Sequence, residues 1–120
     1  MSRNLKQIAT ALRVAVLDVY GSPKDACIAA AIAVRSVYAD AEIWTCKVDG
    51  EPHVLAKLDG KWIDVTADQF CDAYAAEVVF GESDLADFDF RQYHRFERTD
   101  NAYRGWDRLP ELVAAFRAAI

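Results

Sequence analysis

Leu5, Ile8, Leu12, Ala15 and Val16 recur at helical spacing, which predicts an amphipathic helix over residues 3–19. Gly21 ends it. Ser22-Pro23-Lys24-Asp25 then reads as a start signal, with a serine cap, a proline in the first turn and an acid three residues after the cap. The helix that follows, to about Tyr38, has a different character. Its stretch from Ala26 to Val34 is apolar on every face, which predicts burial on most sides. Its many alanines also allow neighbouring backbones to come close, as a central helix requires.

From Glu42 the period changes to two. Glu42 to Val48 reads as a strand, Asp49-Gly50 as a turn, His53 to Leu58 as a second strand and Lys61 to Thr66 as a third. Asp59-Gly60 between the last two suits a two-residue type I′ turn, in which both positions take positive φ. A short helix over 68–76, a strand over Glu77 to Phe80 and a closing helix from Pro110 complete the pattern. On that last helix Leu112, Val113, Phe116 and Ile120 form the buried side. Residues 81–108 carry no clear period. Helices and a meander in separate stretches predict an α+β fold with a buried central helix on an antiparallel sheet, in one domain over 1–120.

Composition narrows the function. At 53% hydrophobic and 28% charged residues, the chain is not of a disordered class. The longest uncharged apolar run, Ala26 to Val34, is far short of the roughly 20 residues that cross a membrane. Together with an N-terminus that lacks a signal-peptide pattern, this points to a cytosolic protein without a membrane partner. Fourteen basic residues against nineteen acidic give a net charge of −5, which argues against nucleic acid as a partner. Cys27, Cys46 and Cys71 are an odd number without a C-x-x-C pair, so neither a disulfide scaffold nor a zinc site is expected, and no metal or other cofactor.

Register arithmetic then brings chemistry together. A two-residue turn at Asp59-Gly60 sets Leu58 opposite Lys61, Leu55 opposite Asp64 and His53 opposite Thr66. His53, Leu55, Lys57, Trp62, Asp64 and Thr66 then share one face, while Val54, Ala56, Leu58, Ile63 and Val65 fill the other. His53 and Asp64 become diagonal neighbours that long side chains can bridge. An aspartate beside an imidazole fixes its tautomer and stabilises its protonated form. Cys27, near the start of the buried helix, lies where unpaired N–H groups and the helix dipole favour a thiolate. Cysteine, histidine and aspartate are the nucleophile, base and orienter of acyl transfer.

A cysteine on the central helix, a histidine opening a strand and an aspartate one hairpin later resemble the papain-like superfamily. The run Glu51-Pro52-His53-Val54 through Asp59-Gly60-Lys61-Trp62-Ile63-Asp64-Val65-Thr66-Ala67-Asp68-Gln69-Phe70 is similar to a block of small bacterial transglutaminase-like proteins. The resemblance covers roughly residues 20–80. It implies a papain-like core, a Cys27-His53-Asp64 triad and a cysteine hydrolase or acyltransferase. The substrate would be a peptide, a protein or another amide-containing molecule. The Cys27 N–H is one oxyanion donor, and Tyr20 or Gln69 a second. Trp62, on the same sheet face, is a candidate substrate contact.

A rival reading stays beside this one. Asp25-Ala26 stands where relatives often have glycine, and Gly21 where papain has glutamine, so the chain also fits a catalytically silent papain-like module that binds a peptide or protein. Cys46 and Cys71 read as core. Arginines interleave with aromatics around His94, which reads as a solvated face paired with the acids at 82–89 or as an anion site.

Overall fold

The computed structural model describes residues 3–22, 26–48, 51–66, 78–80, 91–92 and 108–120, with the backbone alone for 46–48, 51–52, 78–80 and 91–92. Helix α1 spans Leu5–Tyr20. Asn4 caps it by accepting from the Gln7 N–H, and Gly21 closes it in the left-handed conformation at φ 75°, where a side chain would be strained. Helix α2 spans Cys27–Val37, with Ala29 to Val34 all buried. The strands are β1 Glu42–Val48, β2 Glu51–Leu58, β3 Lys61–Asp64, β4 Val78–Phe80 and β5 Arg91–Gln92. Helix α3, Leu109–Ala119, begins with Pro110 in its first turn.

The strands form one antiparallel sheet in the order β4-β3-β2-β1-β5. The fold is α+β. The helices share one side of the sheet: α2 lies on β2 and β1, α1 reaches β3 and β4, and α3 packs against both other helices. Ala56, Leu58, Ile63 and Val65 meet Leu12, Val16, Ile32, Val34, Leu112 and Phe116 in a continuous core. Alanines at 29, 30, 31 and 33 let α2 sit close to its neighbours. At the far end of α2, Arg117 of α3 donates to the Ser36 carbonyl at 3.2 Å, a favourable place for a cation.

The hairpin register agrees with the sequence arithmetic. Leu58 pairs with Lys61, Lys57 with Trp62 and Ala56 with Ile63, and Asp59 and Gly60 take φ of 53° and 76°. Three expectations need correction, and one unassigned stretch gains a strand. The central helix begins at Cys27, and its cap position is Ala26 rather than Ser22; Ala26 has no side chain to cap with. The third strand ends at Asp64, not Thr66, because Asp64 Oδ1 accepts the Thr66 N–H at 3.0 Å and bends the chain at Val65. Ile120 is 42% exposed, since α3 ends before it and leaves it beyond the packed stripe of Leu112 and Phe116. A fifth strand at Arg91–Gln92 joins β1 inside the stretch without a clear period. The helix expected over 68–76 lies outside the described residues.

Candidate active site

Cys27 is the first residue of α2. The first intrahelical bond runs from the Ala30 N–H to the Ala26 carbonyl at 2.9 Å, so the Cys27 N–H precedes the hydrogen-bond ladder. The thiol is half-buried and not disulfide-bonded. β2 and β3 run as a pair as far as Ala56 and Ile63, after which β3 turns into its bend. The start of α2 meets the strands at this parting. Cys27, Ala30 and Ala31 there line a small cavity with Val54, Ile63, Asp64 and Thr66.

His53 and Asp64 are both buried, at 1% and 3% exposure, and His53 Nε2 lies 2.5 Å from Asp64 Oδ2. The other carboxylate oxygen, Oδ1, accepts both the N–H and the hydroxyl of Thr66, at 3.0 and 3.3 Å. Each oxygen of Asp64 therefore has a distinct task, one closing the bend and one facing the imidazole. Burial opposes a charge on the ring of His53. Hydrogen bonds with Asp64 and Cys27, together with the negative charge each can carry, outweigh that penalty and push its pKa up to about 9. The balance favours the imidazolium, with Nε2 on the carboxylate.

The structure thus gathers Cys27, His53 and Asp64. It places the other candidates differently. Trp62 is only 1% exposed, packed edge-on against Trp44 with ring centroids 5.2 Å apart, and Lys57 Nζ lies 4.7 Å from the Trp62 ring centre. Trp62 is thus a buried packing residue on the sheet face it shares with His53 and Asp64. Tyr20 ends α1, half-buried, with the Arg108 guanidinium 5.8 Å from its ring centre. Gln69, Cys71 and His94 lie outside the described residues. Cys46 pairs with His53 across β1 and β2, and its side chain lies outside them too.

Thr66 is a participant that sequence reasoning put on the correct face but gave no role. Its signal was present in the Asp-x-Thr spacing, which lets a threonine hydroxyl and N–H reach one carboxylate oxygen. Arg13 is the second. Its Nη1 donates to the Val65 carbonyl at 2.8 Å, in the same bend. Among the described residues no group of three or more His, Cys, Asp and Glu is arranged to hold a metal ion. No family model matches the chain, and neither a curated protein nor a solved structure matches it significantly.

Proposed function

We propose that this protein is a cysteine-dependent hydrolase or acyltransferase acting on an amide or isopeptide bond, built on a papain-like, transglutaminase-like core. The observation that carries the reading is a buried imidazole shared between Asp64, at 2.5 Å, and the thiol at the first position of a buried helix. In the resting pair the proton sits on His53, and the Cys27 sulfur attacks the carbonyl carbon as a thiolate. The Cys27 N–H faces the oxyanion that forms, at the helix end that favours negative charge. The carbon–nitrogen bond breaks as the imidazolium returns its proton to the leaving amine, and an acyl-thioester remains. A water, or an amine in a transfer reaction, then attacks that thioester while His53 takes its proton; the carbon–sulfur bond breaks, the acyl product leaves, and the thiolate stands again beside the protonated His53.

Trapping the intermediate tests this without knowledge of the substrate. Treated with an activated ester such as p-nitrophenyl acetate, the protein gains one acyl group on Cys27 by intact-mass and peptide mapping, and releases nitrophenol catalytically. Cys27→Ser and His53→Ala abolish both. The near-complete burial of His53 and Asp64, with a small cavity beside the thiol among the described residues, favours a second reading, a catalytically silent peptide- or protein-binding module. That reading predicts no adduct on Cys27 in the native protein.

A further inference from the structure

α1 carries one charge on its buried flank. Arg13 lies four residues after Ala9 and three before Val16, both fully buried, so its aliphatic stem runs along the core. Its guanidinium reaches across 52 positions of sequence to the Val65 carbonyl, at 2.8 Å. Val65 is itself buried, and a buried carbonyl needs a donor when no ladder supplies one. Three hydrogen bonds therefore converge on a bend of three residues: two from Thr66 onto Asp64 Oδ1, and one from Arg13 onto Val65.

We infer that Arg13 is a positioning residue for the orienting carboxylate: by fixing the Val65 carbonyl it holds the bend in which Asp64 turns Oδ2 onto His53. This rests on the reading of Cys27, His53 and Asp64 as a working triad. Arg13 acts through Asp64 and not on the substrate. The guanidinium suits the task because its planar, always-charged donors are less mobile than a lysine ammonium.

The sign of one titration separates this role from a plain effect of charge. The groups that set the charge of His53 are Asp64 from β3 and Cys27 from α2, and Arg13 approaches from α1 through Val65. Removing a nearby cation, by itself, favours the protonated ring and raises its midpoint. Removing an anchor lets Asp64 drift and lowers it. The experiment is an NMR titration of His53 in full-length 15N-histidine-labelled protein, with the second histidine assigned through His94→Gln. Arg13→Met should lower the His53 midpoint by about one pH unit or more, and Arg13→Lys, which keeps a charged donor, should recover most of it. If Arg13→Met fails to fold, Arg13→Gln, whose amide is too short to replace the guanidinium, takes its place with the same expected fall. An unchanged or raised midpoint, with only thermal stability reduced, overturns the positioning role. Iodoacetamide labelling of Cys27 in His53→Ala keeps the two claims apart. Labelling that ignores His53→Ala sinks the triad itself, whereas labelling that slows, with Arg13 variants titrating like wild type, sinks only the role of Arg13.

Discussion

His53 holds its proton for a structural reason, and the consequence is measurable. An unfolded imidazole titrates near 6.5, whereas the folded ring keeps its proton up to about 9 through Asp64 and Cys27. The stabilisation is complete below pH 6.5 and is lost as pH rises through about 9. Urea midpoints should therefore fall between pH 6 and pH 10, and the fall should shrink in Asp64→Asn. That variant separates two roles of one side chain. Asparagine keeps an oxygen for the Thr66 bend but faces His53 with no charge, so the fold should survive while turnover of the activated ester drops on the order of 10³–10⁴-fold. A lower melting temperature with turnover spared would mark Asp64 as structural only. Thr66→Val removes one of the two donors on Oδ1 and should cost about 1 kcal/mol in chemical denaturation.

At the scale of elements, the β2–β3 hairpin was the most legible part of the fold. Asp59-Gly60 admits a turn with two positive φ values, and that alone sets the register that brings His53 to Asp64. Gly60→Ala meets no neighbouring atom, so its cost is backbone strain alone, about 1 kcal/mol by urea denaturation. The start of α2 was less legible. Ser22-Pro23-Lys24-Asp25 carries every local sign of a cap, yet the helix begins at Cys27 behind an uncapped Ala26, in contact with β2, so tertiary packing overrides the local signal. β5 was not legible because its two described residues are too few to show a period. The Arg13 bond to Val65 was hidden for another reason: nothing local connects a helix flank to a carbonyl 52 residues on. The close seating of α2 gives its own prediction. Ala33 is fully buried, and Ala33→Leu should overpack the core and lose about 1–3 kcal/mol in denaturant titration.

Over the whole molecule, two groups of packed side chains, one on each face of the sheet, meet at the candidate site. One is the three-helix core against Ala56, Leu58, Ile63 and Val65; the other, on the opposite sheet face, sets Leu55, Trp44 and Trp62 beside His53 and Asp64. Residues of both faces line the small cavity where β2 and β3 part, and the helix core delivers Cys27 to that point. The site is therefore a product of the complete packing and not of a local motif. Alkylation of Cys27 by iodoacetamide across pH 5 to 9, in wild type and His53→Ala, tests that coupling most directly. At pH 6 an ordinary thiol is almost wholly protonated and reacts slowly. The imidazolium beside Cys27 predicts rapid, saturating labelling at pH 6 in the wild type and a return to slow, thiol-like kinetics in His53→Ala. Identical profiles for the two proteins would contradict it.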